Sequence, residues 1–221
     1  MSCAVQPAIE LSLQRIDTPQ NRLILWTVLG VMGLACLLFL GRVMRRRGVA
    51  RRLHQGIVSA SIEHLHNVLV PDGMGGSLHV DYLLLTSRGV VVLDLRDIRG
   101  NIFGGDQMTQ WTVMDGPRRS TFQNPQHALY DRVAAVRALA GELAVEGRVL
   151  FTRRAKFPKG LPRWILMVDS LRAEFPPVDS DAARVLVDHY RRDWQALRTA
   201  VTPSLLRRRR GFLAEVFDEG L

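Results

Sequence analysis

The hydrophobic and polar positions divide the chain into one long apolar run and a series of shorter periodic segments. Residues 23–41 contain no charged side chain. A helix over these 19 residues, at a rise of ~1.5 Å each, spans ~28 Å, close to the thickness of a bilayer core. A cleaved signal peptide would carry a basic segment before the run and a small-residue cleavage site after it, whereas arginines follow this run. The pattern therefore predicts a single transmembrane helix.

The charges on either side of this run predict its orientation. Six arginines and no acid lie in 42–52, whereas Arg15 and Arg22 are the basic residues that precede the run. Because basic residues favour the cytoplasmic flank of a membrane helix, we expect a single-pass plasma-membrane protein with residues 1–22 outside and the rest of the chain in the cytoplasm. The arginine-rich juxtamembrane segment, 42–55, is also expected to contact anionic lipid headgroups.

The pattern beyond this segment predicts alternating helices and strands. Three- and four-residue apolar spacing predicts an amphipathic helix over 54–70, and the glycine-rich stretch 100–107 is expected to turn. The other predicted elements are a hairpin over 77–86 and 89–96, a second hairpin over 109–114 and 118–122, a helix from residue 124, strands over 148–152 and 164–168, and a helix from residue 181 to about residue 203. This order predicts one mixed α/β domain.

Composition narrows the function classes. With 221 residues, 47% hydrophobic and 23% charged, the chain is neither disordered nor a large multidomain enzyme. Its net charge of +9 is concentrated in 42–52, and residues 53–206 nearly balance acids and bases, so overall basicity does not by itself indicate nucleic-acid binding. Two cysteines are too few for a thiolate zinc site or a disulfide framework.

Three charged residues interrupt the apolar strands of the first predicted hairpin. Asp94 and Arg96 share one face of the second strand, and the hairpin brings Asp81 of the first strand towards Asp94. Two neighbouring carboxylates require a positive partner. A divalent cation with oxygen ligands is one interpretation, and an Asp–Arg ion pair at a strand end is the other.

The order of these motifs resembles the nuclease-related domain (NERD), a branch of the PD-(D/E)xK nuclease-like fold. The resemblance extends from about Gly56 to Val168. It is carried by Ser61-Ile62-Glu63-His64, Val80-Asp81, Gly89-Val90-Val91-Val92-Leu93-Asp94-Leu95-Arg96, Arg99-Gly100-Asn101-Ile102-Phe103-Gly104, Gln110-Trp111 and Asn124-Pro125. It implies a restriction-endonuclease-like mixed sheet flanked by helices over 56–170, with the membrane helix before it. The helical spacing of the tail predicts a C-terminal helical extension over 171–221.

The resemblance also implies a metal-dependent site. In the family pattern a helix glutamate, a strand aspartate and the glutamate of an E-x-K element ligate Mg2+, and the lysine positions the attacking water. These roles fall on Glu63, Asp81, Asp94 and Arg96, respectively. The chain thus has D-x-R where the family has E-x-K, and a guanidinium cannot act as a general base although it can hold a phosphate.

A stretch of basic residues indicates what kind of partner the chain could bind. Beside Phe157 and Trp164, the chain carries a set of basic residues predicted to follow a phosphate backbone: Arg148, Arg153, Arg154, Lys156 and Lys159. A solvated loop or a membrane contact would produce the same composition. Two functions remain open: Mg2+-dependent hydrolysis of DNA or RNA, and a catalytically degenerate, membrane-tethered adaptor that binds nucleic acid or protein.

Overall fold

The computed structural model describes residues 19–177 and 179–204. Residues 1–18 of the predicted extracytoplasmic segment, and the part of the predicted C-terminal extension after residue 204, lie outside this range. The first element is one continuous helix, α1 (Pro19–Val58), which contains both the apolar run and the arginine-rich segment. The span Trp26–Val58 contains an 18-residue window with a mean hydropathy of 2.0, none of which is buried, so by length and composition this part of the helix could cross a membrane. A boundary between two compact units falls between Arg52 and Leu53.

The second unit contains ten strands and three further α-helices within the described range. The strands are β1 (Glu63–Pro71), β2 (Ser77–Thr86), β3 (Gly89–Arg96), β4 (Gly100–Phe103), β5 (Gln110–Asp115), β6 (Arg118–Gln123), β7 (Val145–Phe151), β8 (Ala155–Lys156), β9 (Ile165–Met167) and β10 (Thr202–Pro203). The helices are α2 (Pro125–Leu139), α3 (Leu171–Glu174), which a 3-10 turn (Val168–Ser170) precedes, and α4 (Ser180–Ala200). Both predicted hairpins, the central helix, the two later strands and the final helix are confirmed.

The prediction of a helix over 54–70 is wrong beyond residue 58. The small polar stretch 59–61 separates α1 from β1, and His64 and His66 then alternate in exposure with the flanking residues, as in a strand. The β1 strand pairs antiparallel with β2, from Glu63 opposite Leu85 to Pro71 opposite Ser77. The apolar spacing was compatible with both periods, and pairing with an apolar neighbouring strand decided between them.

A six-stranded mixed sheet forms the centre of the domain, in the order β10-β1-β2-β3-β7-β9. The β3, β7 and β9 strands are parallel, whereas the other neighbours are antiparallel. The sheet carries a core on each face. The larger core includes residues of α2 and α4, among them Val136 and Trp194, and the smaller includes Ile57 at the end of α1 and Leu171 of α3. A mixed α/β architecture with sheets flanked by helices is therefore confirmed.

A second, four-stranded sheet has the order β6-β5-β4-β8. Its β4 strand lies in the stretch expected to turn, and the turn is confined to the residues that follow Phe103. The inward side chains of this sheet, including Ile102, Trp111 and Phe122, belong to the larger core. Gly104 lies close to the Trp111 ring, where a Cβ would come within 2.2 Å of a ring carbon. The glycines predicted to turn therefore also allow this close packing.

Candidate functional site

A buried aspartate is the centre of the candidate site. The side chain of Asp94, near the end of β3, is 1% exposed. Its Oδ2 accepts hydrogen bonds from Nε of Arg96 at 3.0 Å and Nη2 at 2.8 Å. Residues two apart on a strand project from the same face, so the alternation of β3 brings this acid and base together. The predicted contact between these two side chains is present.

A second guanidinium approaches from α2. Nη1 of Arg132 lies 3.7 Å from Oδ2 of Asp94, and its Nε donates to the backbone oxygen of His79 at 2.6 Å. Arg132 therefore links the helix to both strands of the hairpin. The sequence interpretation missed it, although a signal was present: it lies at helical spacing on the stripe formed by Leu129, Val133 and Val136.

Asp81 lies on the neighbouring strand and contacts the backbone next to Asp94. Its Oδ2 accepts a hydrogen bond from the backbone N–H of Leu95 at 2.8 Å, and its Oδ1 lies 3.8 Å from Nδ1 of His79. The His79 ring in turn contacts Oδ1 of Asn67 at 2.7 Å. The hairpin register ends with Tyr82 opposite Leu93, so Asp81 and Asp94 occupy the next positions of the two adjacent strands.

Glu63 does not join these residues. It pairs with Leu85, four residues beyond Asp81 on β2, so at ~3.3 Å per residue the two acids are separated by ~13 Å along the sheet. Its Oε2 instead accepts a hydrogen bond from the indole Nε1 of Trp194 at 2.6 Å. The role implied for Glu63 assumed a helix at this position, and β1 extends the chain away from the cluster.

The charges around Asp94 bear on whether a divalent cation fits. A Mg2+ ion requires oxygen ligands that are free to coordinate it, whereas Oδ2 of Asp94 already receives two hydrogen bonds and faces a second guanidinium. In the described part of the chain, no group of three or more His, Cys, Asp or Glu side chains is arranged to hold a metal ion. The residues present therefore do not fit the predicted three-carboxylate magnesium site, and arginines supply the positive charge.

The first residue of the predicted basic stretch contacts other side chains of the domain. Arg148 lies in β7 and forms ion pairs with Glu146 at 3.0 Å and Glu174 at 3.1 Å. Hydrogen bonding from Arg148, and to a lesser extent from Arg88, lowers the pKa of the Glu174 carboxyl. Its guanidinium also lies over the Trp164 ring, 5.2 Å from the centroid. Arg148 is thus part of an internal ionic and aromatic cluster.

The rest of the basic stretch is divided between ion pairs and exposed lysines. Arg153 pairs with Asp169 at 2.6 Å and Arg154 with Asp97 at 3.1 Å, whereas Lys156 and Lys159 are exposed. The two aromatic side chains expected nearby are also engaged by the fold. The Phe157 ring packs edge-on against Phe151 and Trp111 in the core, and the guanidiniums of Arg148 and Arg163 both lie over the Trp164 ring.

A separate cluster of histidines lies where α1 meets the sheet. The His54 ring centroid is 5.8 Å from that of His64 and 5.2 Å from that of His66, and its Nδ1 lies 3.1 Å from the Tyr82 hydroxyl. Burial, and then the neighbouring His54, lower the pKa of His64, while Glu63 acts in the opposite direction. The rings of His66 and Tyr82 are in contact on this face, which is opposite to the face that carries Asp94.

Comparison with known proteins agrees with the motif order. The nuclease-related domain family model matches residues 47–152. An uncharacterized protein of Bacillus anthracis is 32% identical over 72 residues, which cover 33% of this chain and 34% of that protein. The chain thus matches about a third of the length of this curated relative. No solved structure matches the chain significantly. The resemblance to a nuclease-related domain is confirmed for residues 47–152.

Proposed function

We propose that the nuclease-related domain over residues 47–152 binds nucleic acid at the membrane without hydrolysing it. The family match supports nucleic acid as the ligand, and the observation that argues against hydrolysis is the pairing of Asp94 with Arg96 and Arg132. In phosphodiester hydrolysis, a bound metal generates the nucleophile and offsets charge on the phosphate. Here the carboxylate expected to bind the metal is neutralised by arginines, and neither guanidinium can act as a base near neutral pH.

Membrane attachment is the second part of the proposal. The apolar part of α1 leaves large side chains exposed, including Leu37 and Phe39 at 68% and 67%, and lipid would cover them at little cost. The six arginines over 42–52 support a cytoplasmic position for the following domain at the plasma membrane, because basic residues favour the cytoplasmic flank of a membrane helix. The module would therefore hold nucleic acid close to the inner membrane surface.

Binding and cleavage assays on the full chain test this function. The protein in neutral phosphatidylcholine nanodiscs is incubated with labelled single-stranded DNA, duplex DNA and RNA, with and without Mg2+. Fluorescence anisotropy measures binding, and denaturing gels measure cleavage. We expect binding of at least one probe with no cleavage of any. Absence of binding to all three would contradict the proposal.

Mg2+-dependent hydrolysis is the second candidate, because Asp81 and Asp94 lie on adjacent strands of a nuclease-related fold. It requires Arg96 and Arg132 to release Asp94. Mg2+-dependent cleavage that disappears in an Asp94→Asn variant still folded by its tryptophan fluorescence, while the exposed control Asp131→Asn still cleaves, would establish this candidate and overturn binding without hydrolysis. Equal cleavage by both variants would indicate a contaminating nuclease.

A further inference from the structure

The four-stranded sheet has one buried and one open face. Alternation along its strands turns Ile102, Trp111, Val113 and Phe122 into the larger core. The intervening residues therefore form the opposite surface. Four of these outward residues are cross-strand partners and form one row across all four strands. They are Arg119 of β6, Met114 of β5, Asn101 of β4 and Lys156 of β8.

All four side chains of this row are exposed. At ~4.8 Å between neighbouring strands, the three steps from Arg119 to Lys156 separate the two cations by ~14 Å. Neither cation forms an ion pair with any residue that the structure describes. The row therefore has an unneutralised positive charge at each edge of the sheet and neutral side chains between them.

The adjacent row supplies neutral hydrogen-bonding and aromatic groups. It consists of Thr121, Thr112 and Phe103, which are cross-strand partners and half-buried. Asp115, at the end of β5, belongs by alternation to the other face and pairs with Arg99 at 3.3 Å. The open face of the second sheet thus combines two cations, hydroxyl and amide groups, a thioether and a phenyl ring, and these two rows contain no acid.

We propose that this open face binds a single strand of nucleic acid, with Arg119 and Lys156 at phosphates and Phe103 and Met114 against bases. Single-strand sites combine cations that follow the backbone with aromatic side chains on which bases stack, and an exposed four-stranded sheet provides such a platform. An acid-free face complements the phosphate charge. The surface rests on the proposed nucleic-acid binding and assigns it to residues away from Asp94.

The test compares two pairs of neutralised cations in the full chain. Arg119→Gln with Lys156→Gln removes the proposed phosphate contacts. Arg172→Gln with Arg192→Gln removes two cations that are also exposed and form no ion pair with the described chain. Each protein, in phosphatidylcholine nanodiscs without Mg2+, is titrated with labelled oligo-dT and oligo-U at several salt concentrations. Binding to phosphatidylserine vesicles is measured in parallel.

We expect the R119Q/K156Q variant to bind at least tenfold more weakly at low salt. Its slope of log Kobs against log salt should be less steep by roughly 1.4, since each phosphate contact on a single strand contributes ~0.7. The R172Q/R192Q variant should match the unmodified chain.

If both variants bind like the unmodified chain, the proposed surface is wrong although nucleic-acid binding stands. If the unmodified chain binds neither oligonucleotide, surface and proposed function both fail. If only vesicle binding weakens in R119Q/K156Q, the face is a lipid contact and the proposal is overturned.

Discussion

At the scale of single residues, Asp94 determines the character of the site. A carboxylate that is 1% exposed is stable only when its charge is compensated, and here two guanidiniums provide this compensation. The sequence indicated one of them, Arg96. Because Arg132 also faces the same oxygen, the carboxylate is more strongly committed to ion pairing than the D-x-R motif alone implies.

Removing the charge of Asp94 tests this pairing. Asp94→Asn keeps the size of the side chain but leaves two buried cations facing a neutral amide, so we expect a loss of about 3–5 kcal/mol in the free energy of unfolding. Denaturation of the full chain, followed by tryptophan fluorescence, measures it. Asp131→Asn, an exposed change on α2, should cost less than about 0.5 kcal/mol. A loss at Asp94 as small as that at Asp131 would contradict a stabilising role for the cluster.

At the scale of elements, the β2–β3 hairpin positions both aspartates, and its turn is constrained on two sides. Gly89 has a φ of +109°, which L-residues rarely adopt. A Cβ at this position would lie 2.3 Å from the backbone oxygen of Ala144, and that oxygen accepts a hydrogen bond from Val90. The start of β3 is therefore locked against the residue that precedes β7.

Alanine substitutions at two glycines distinguish the stability cost of backbone strain from the cost of steric crowding. Gly116, in the β5–β6 turn, also has a positive φ of +63° but open space around it. We expect Gly116→Ala to cost about 1 kcal/mol from strain alone. Gly89→Ala adds a backbone clash, so we expect it to cost about 3 kcal/mol or more. Thermal unfolding of both variants measures the difference, and equal losses would show that the contact with Ala144 relaxes freely.

At the scale of the whole molecule, the chain joins an apolar helix to an α/β domain that contains most of the nuclease-related match. The proposed function fixes a nucleic-acid-binding domain to a membrane, which would raise its local concentration at that surface. In the proposed function, the direction in which α1 would cross the membrane decides whether the domain meets cytoplasmic nucleic acid. The asymmetry between Arg15 and Arg22 on one side and the six arginines of 42–52 on the other predicts this direction.

Cysteine labelling in intact cells tests the orientation. Cys3 precedes the apolar run and Cys36 lies within it, so in a Cys36→Ser background Cys3 is the single native thiol. We expect a membrane-impermeant maleimide to label Cys3 in intact cells. A thiol introduced by Lys159→Cys, in a chain with both native cysteines replaced by serine, should react only after lysis. Labelling of the Lys159→Cys thiol in intact cells, with labelling of Cys3 only after lysis, would show the opposite topology.

Local patterns in the sequence determined much of the architecture. The sequence predicts the apolar run, both hairpins and the helix that begins at Pro125. Their hydrophobic periods are set by residues close together in the sequence, so no distant contact is needed to recognise them. The same alternation correctly paired Asp94 with Arg96. The short apolar pattern of 63–70 fits either period, so local spacing does not distinguish its strand from a helix, and the glycine-rich composition of 100–107 predicts a turn where β4 forms.

The tertiary structure alone decided which charges meet. Arg132 reaches Asp94 from 38 positions later in the chain, and Trp194 donates a hydrogen bond to Glu63. Acids from β1 and β2 were expected to converge, but a strand at β1 pairs Glu63 with Leu85 and so separates it from Asp81. Periodicity reports the face on which a side chain lies, whereas the register between strands and the docking of a helix depend on packing between distant segments.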